Sequence, residues 1–218
     1  MKSNAPSKRA QLTRKTKRGF YDAETINGIL DESCICYLSF TIDQMPFILP
    51  TAYGRLADTL YFHGALKGRM MKALEKSPQV CINVSIMDGL VLTRAVFSHS
   101  MNYRSVVIFG AAKLVTEPEE KMAALKAITN QILPGRWDEA RSPNAEELQA
   151  TCVFAVSLQE AAAKVRTEGP NDKQADYDLP HWAGVVPLTQ KVGTPVPDEK
   201  RKKEVSLPKS VVDFVAKD

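Results

Sequence analysis

Asp88–Gly110 reads DGLVLTRAVFSHSMNYRSVVIFG, and its pattern decides the fold class. An apolar run at its start and a second run from Val106 to Phe109 flank a polar knot, Ser98–Ser105. Runs of Val, Leu, Ile and Phe bridged by a compact polar segment predict two strands joined at one end. Within the knot, His99, Asn102, Tyr103, Arg104 and Ser105 offer an imidazole, an amide, a phenol, a guanidinium and a hydroxyl. Solvated turns are built mostly from Gly, Pro, Asp and Asn. This set therefore suits a planar, anionic, hydrogen-bonding ligand better than it suits water.

Outward from that stretch the chain repeats the strand signal. Val80–Met87 alternates, with Val80, Ile82, Val84 and Ile86 facing a core and the small polar Asn83 and Ser85 on a surface where a flat ligand could rest. Cys34–Ile42 alternates in the same way, with Cys34, Cys36, Leu38, Phe40 and Ile42 on one face. Asp43-Gln44 turns the chain into MPFILPTAYGRL, where Pro46 and Pro50 cannot donate to a ladder. They predict an edge or a bulge, which leaves backbone groups free. The next strand, TLYFH, ends at His63-Gly64, and a helix begins near Lys67 with Arg69 in its first turn. Free amides, the helix dipole and two cations make an anion site there, although the same cations also read as a solvated helix face.

The remaining elements read as scaffold. Asp22 is an N-cap, Glu24 sits in the first turn, and Ile26, Ile29 and Leu30 form one apolar face of a plug helix. Glu117–Ile132 is a helix with Pro118 and acids at its start, and Thr151–Leu158 is a final strand. Ala161–Leu188 shows little periodicity, so it is expected to be functional or disordered. Trp182 within it is no bystander, because an indole gains nothing in a free tail. From Lys191 on, Gly, Pro and mixed charge mark a tail whose end, VSLPKSVVDFVAKD, reads as a docking strand or a short helix.

The 218 residues suffice for one substantial domain, and an apolar share of 44% with 25% charged residues is that of a globular protein. There is no apolar run of membrane-spanning length and no signal-peptide core, so the chain is expected in the cytoplasm without a membrane partner. Its four cysteines, Cys34, Cys36, Cys81 and Cys152, lie in apolar contexts and read as reduced, buried thiols. No second Cys/His pair completes a metal site with Cys34 and Cys36. Met1–Arg18 carries seven basic residues and no acid, against a whole-chain charge of +4, which leaves −3 for the rest. That lead lacks aromatic platforms and an apolar helical face, so we read residues 1–17 as a solvated, flexible arm in preference to a nucleic-acid-binding one.

The segments DGLVL, HSMNYRSVV, KVRT and WAGVVPL together resemble the pyridoxamine 5'-phosphate oxidase-like flavin-binding proteins, most closely the branch related to nitroimidazole-resistance proteins. The resemblance spans Arg18–Leu188, with residues 189–218 as the tail. It implies a mainly β fold with flanking helices (α+β), a split β-barrel forming a homodimer with FMN at the subunit interface. It also implies roles for particular residues. Leu49, Pro50 and Thr51 would lie along the isoalloxazine edge, with Lys67 and Arg69 at the phosphate and Arg104 and Ser105 at the pyrimidine edge or phosphate. Trp182 would sit near the cofactor across the dimer. The family's G-S-x-x-S-R appears here as Gly64-Ala65-Leu66-Lys67-Gly68-Arg69, without its serines, and Ser105 replaces a glutamine.

Three functions follow as expectations. The first is an FMN-dependent oxidoreductase acting on a small acceptor such as a nitro compound, a quinone or a phosphorylated pyridine; the chain has no Gly-x-Gly-x-x-Gly stretch for a resident nicotinamide. His99 is then a candidate proton donor or a histidine closing the connector, and Tyr103 stacks on a ring or fills a gap in the dimer. The second is a non-catalytic flavin- or haem-binding protein, with His63, His99 or His181 as the axial ligand. The third, a nucleic-acid-binding protein, depends on the basic arm and gains nothing from a remainder at −3.

Overall fold

The computed structural model describes residues 5–200 and 204–216. Among them, ten strands form one sheet: β1 (Gly19–Phe20), β2 (Ile35–Ile42), β3 (Met45–Leu56), β4 (Thr59–Ala65), β5 (Gln79–Leu92), β6 (Ser100–Ala111), β7 (Lys113–Leu114), β8 (Thr151–Ser157), β9 (Ala161–Arg166) and β10 (Gly184–Pro187). The order is β1-β9-β6-β5-β2-β3-β4-β8-β7, with β10 added to β5, and every ladder is antiparallel. The helices are α1 (Ala23–Glu32), α2 (Arg69–Lys76), α3 (Pro118–Ile132), α4 (Ala145–Ala150) and α5 (Lys209–Val215).

The sheet curls until its distant strands meet. A Cβ on Gly110 of β6 would lie 3.0 Å from Val156 of β8, although five steps of the strand order separate them. The curl begins in short hairpins. Asp43 and Gln44 both take positive φ, the two-residue turn whose twist matches that of its strands. Alternation then fills the interior: Cys36, Leu38 and Phe40 of β2 meet Val80, Ile82 and Val84 of β5 and Val106 and Ile108 of β6. Ile26, Ile29 and Leu30 of α1 and Met71 and Leu74 of α2 plug the same core. The alternating pattern and the split β-barrel with flanking helices are thus as expected.

Outside the barrel, α3 lies on β3 and β4. Gly54 permits this, because a Cβ there would sit 2.4 Å from the backbone nitrogen of Ile128. Gln131 of α3 donates to the carbonyls of Leu30 (3.0 Å), Asp31 (3.2 Å) and Ser33 (2.7 Å), the orphan acceptors at the end of α1. The buried hydroxyl of Tyr53 also donates to Leu30 O at 2.6 Å. Gln131→Leu should therefore cost about 1–2 kcal/mol. In urea, the midpoint should fall with an unchanged slope; an unmoved midpoint would show that the cap contributes nothing.

Several expectations need correcting. The connector between the two strands of the opening stretch runs from Thr93 to His99, and β6 begins at Ser100, so Asn102, Tyr103, Arg104 and Ser105 belong to a strand. Cys34 is exposed and Cys81 half-buried, while Cys36 and Cys152 are buried; all four are free. Cys34 precedes the ladder that starts at Ile35, which explains its exposure. Burial pushes the Cys36 thiol up to about 12. Ala161–Arg166, expected to be irregular, is β9 between β1 and β6. The end of the tail forms α5, resolving its two readings in favour of the short helix; residues 201–203 and 217–218 of that tail lie outside the described residues.

The basic lead also differs from a free arm over its described part, residues 5–17. Ala10 is buried, Arg9 pairs with Glu160 and lies over the Phe109 ring at 5.3 Å, and Arg18 beyond it pairs with Glu168. Residues 1–4 of the arm lie outside the described residues. No helix of the described residues is long and apolar enough to cross a membrane.

Candidate functional site

Strand register sorts the expected site residues. Opposed residues of an antiparallel ladder share a face, so Tyr37 and Pro50, Tyr37 and Asn83, and Asn83 and Val107 lie on one side of the sheet. Two residues further along, the opposed pairs Ser85 and Ser105, then Met87 and Tyr103, continue that side. The side faces outward, away from the core of Leu38, Ile82 and Ile108. It carries Ile35, Tyr37, Ile48, Met87, Leu90 and Met101, all exposed. Pro50, Asn83, Ser85, Tyr103 and Ser105 are thus brought onto one open, mostly apolar face with small polar groups at its centre.

Those polar groups are partly ordered by one another. Ser85 donates to Asn83 Oδ1 at 2.8 Å, Asn83 donates to Val106 O at 3.3 Å, and Ser105 donates to Lys164 O at 3.3 Å. Each retains capacity for a further hydrogen bond from above. Lys164, opposite Ser105, puts one cation on the same side.

A second group gathers at the start of α2. Gly68 is the N-cap with no side chain to satisfy the first-turn amides, Lys67 and Arg69 are exposed, and the Arg69 guanidinium lies over the Phe47 ring at 4.7 Å. By register Leu49 and Thr51 fall on the same side of β3 as Phe47, opposite to Pro50. The two groups meet along β3. Among the described residues Met45–Ala52 pairs only with β2 and Tyr53–Leu56 only with β4, so the Met45–Ala52 part of the strand has a free edge. Pro46 and Pro50 sit on that part, where a missing N–H does not interrupt two ladders. The sequence reading of an edge therefore describes Met45–Ala52 of β3.

Other expected residues lie elsewhere. Arg104 is on the face opposite Ser105, and its guanidinium is spent inside the chain. It donates to Asp88 Oδ2 and Oδ1 (3.0 and 2.7 Å) and to both oxygens of Glu32, which raises its pKa through Glu32 first and Asp88 second. Asp88 is the extra residue of a bulge in β5, so Arg104 ties that bulge to the end of α1. His63 of β4 is turned towards α3, with burial lowering its pKa.

His99 lies at the end of the connector, exposed. Thr93 Oγ1 donates its one proton to Ala95 O at 2.8 Å, so at its 3.1 Å contact with His99 Nδ1 it accepts. The neutral ring then carries its proton on Nδ1 and presents an unprotonated Nε2. Trp182 is 66% exposed, its ring lying against Gly184 at the start of β10.

Sequence reasoning missed what fastens the start of the segment that leads to Trp182. The Asp172 side chain is fully buried and accepts from the amides of Arg94 (3.0 Å) and Ala95 (3.4 Å) and from the Arg94 guanidinium (3.1 Å). Burial pushes its carboxyl up, and those three donors more than offset that, holding it below its ordinary value. Arg166 similarly binds Asn102, Glu168 O and Gly169 O. The 167–183 segment is therefore fastened to the strand connector and to β6. An aspartate in PND, a turn signal, was the available hint.

Residues 22–165 match the family model described as pyridoxamine 5'-phosphate oxidase. The flavocytochrome Anf3 from Azotobacter vinelandii is 36% identical over 96% of this chain and 97% of its own, with a TM-score of 0.90. The FAD and haem binding protein from Mycobacterium smegmatis is 29% identical over 90% of this chain and 96% of its own, TM-score 0.85. A Bacteroides thetaiotaomicron protein assigned to 5-nitroimidazole antibiotic resistance is 25% identical over 67% of this chain and 86% of its own, TM-score 0.58. No curated protein matches the chain.

Proposed function

The chain belongs to the pyridoxamine 5'-phosphate oxidase family, and from that premise we propose that it is a homodimeric flavin-nucleotide-binding oxidoreductase. The observation that carries this reading is the open outward face, where Asn83, Ser85 and Ser105 stand among exposed apolar side chains beside the free edge of β3. A face of that character is a binding surface, and a flat heteroaromatic ring with polar edges fits it. A second copy of the chain covers the remaining apolar area. The residues fit FMN: the ring would lie along Leu49, Pro50 and Thr51, and the phosphate would meet Lys67, Arg69 and the first amides of α2. FAD offers the same ring and its first phosphate, so the face suits either nucleotide.

When bound, the flavin supplies the electron chemistry with a small acceptor such as a nitro compound or a quinone. The chain's own groups bind and orient. Tyr103 would border the ring face, and Trp182 would limit water. His99 would take up and return a proton at Nε2, its Nδ1 being held by Thr93 Oγ1.

A second reading, a flavin protein that also holds haem, is favoured by one finding. The two relatives matching nearly the whole chain are a flavocytochrome and an FAD and haem binding protein. The chain's histidines, His63, His99 and His181, supply the only imidazoles such a haem could use.

Arg69→Ala should weaken FMN binding about 10- to 100-fold, the loss of a charge-assisted contact to phosphate. The loss should shrink for riboflavin, which lacks the phosphate. Equal losses for FMN and riboflavin would remove Arg69 from the phosphate site.

A further inference from the structure

A cavity of about 300 Å³ lies outside the barrel beneath α3, away from the open face. Leu125 and Ile128 of α3 and Leu148 of α4 give it apolar walls, Trp137 adds an aromatic one, and His63 lines it from β4. Arg141 stands among the lining residues, already held by Glu147 at 2.6 Å. The Nδ1 atom of His63 is buried and makes no hydrogen bond among the described residues. An imidazole nitrogen withdrawn from water without a partner costs stability, and buried polar atoms in folded proteins nearly always have one. Burial also disfavours the imidazolium, so the ring is kept neutral, with one donor and one acceptor nitrogen.

Size and chemistry together define what completes the site. Ligand cavities run from about 300 to 1,000 Å³, so this one lies at the small end. Its walls are mixed, the apolar side chains standing beside Thr129, Thr151 and the Arg141–Glu147 pair, so a neutral ring that carries a polar group matches them better than an ion does. We propose that this cavity is a second binding site, for a planar one- or two-ring aromatic molecule with a single hydroxyl or oxo group that hydrogen-bonds to His63. The site lies within one chain and stands whether or not the flavin reading holds.

Trp137 reports on its own cavity, because the chain has only two tryptophans. In purified full-length Trp182→Phe protein, titration with 4-nitrobenzyl alcohol, which has one ring, one hydroxyl and a quenching nitro group, should quench Trp137 fluorescence saturably. Adding His63→Leu should weaken half-saturation about tenfold, the loss of one buried hydrogen bond. Adding Leu125→Phe should block the cavity with the imidazole intact and remove the saturable phase, while near-ultraviolet circular dichroism shows both variants folded. Linear, non-saturating quenching would overturn the proposal, as would unchanged half-saturation in His63→Leu. A Soret band on haem titration that disappears only with His63→Leu would make haem the occupant and overturn the small-ring assignment. Absence of flavin uptake by the unsubstituted protein, with the Trp137 quenching retained in Trp182→Phe, would count against the flavin reading alone.

Discussion

Phe62→Ala is expected to lower the unfolding free energy by about 3–5 kcal/mol. Phe62 is fully buried on β4, its ring stacked against Phe154 of β8 at 5.8 Å between centroids. Both rings belong to the core that α1 and α2 close, where a removed ring leaves a cavity that rigid strands on either side cannot collapse into. Against a total stability of about 5–15 kcal/mol, that is a large fraction. Urea unfolding followed by circular dichroism measures it. Phe97, 95% exposed in the connector, is the control: Phe97→Ala should leave the midpoint in place. A loss under about 1 kcal/mol at Phe62 would mean that the β4–β8 layer is not part of the core.

Val107→Glu is expected to turn the dimer into a monomer and abolish flavin uptake while leaving the barrel folded. Val107 lies opposite Asn83 on the outward face, beside Ala162 of β9. Val107 is half-buried and Ala162 beside it is buried, so a glutamate there costs the monomer some packing while its carboxylate can still reach water. Enclosed between two copies it is a carboxylate withdrawn from water with no cation opposite, a penalty of several kcal/mol counted once in each copy. Gel filtration and flavin absorbance read the two effects, and thermal melting checks the fold. A variant that stays dimeric with its flavin would place the interface elsewhere on the molecule.

The parts that alternate were legible in the sequence. Cys36, Leu38 and Phe40, and Val80, Ile82 and Val84, reach the core as their period demands, because one buried face fixes a strand's register. β9 escaped because Ala161, Ala162 and Ala163 carry no strand preference; small side chains suit them to the crowded ladder between β1 and β6, which only tertiary context reveals. The apolar and polar halves of the opening stretch were read correctly, but the boundary of the connector was not. Polar residues on the exposed side and at the mouth of a barrel imitate a loop, and Ser100–Ser105 is such a run.

For the site, Asn83, Ser85, Tyr103 and Ser105 came together because two-residue spacing keeps them on one face of paired strands. Arg104 shows the opposite case. Its partners Glu32 and Asp88 lie 72 and 16 residues away, and no local pattern announces a guanidinium already claimed by two carboxylates. The Asp172 fastening, 78 residues from Arg94, is hidden for the same reason. Long-range ion pairs depend on the fold being complete, whereas periodicity depends only on neighbours.

The central claim is that a flavin lies on the outward face between two copies of the chain. Sedimentation velocity of the purified full-length protein mixed with FMN, detected at the visible flavin band, tests it most directly. Flavin absorbance is expected to travel with a dimer at one flavin per chain. Flavin left at the meniscus while the protein sediments, or flavin travelling with a monomer, would contradict it.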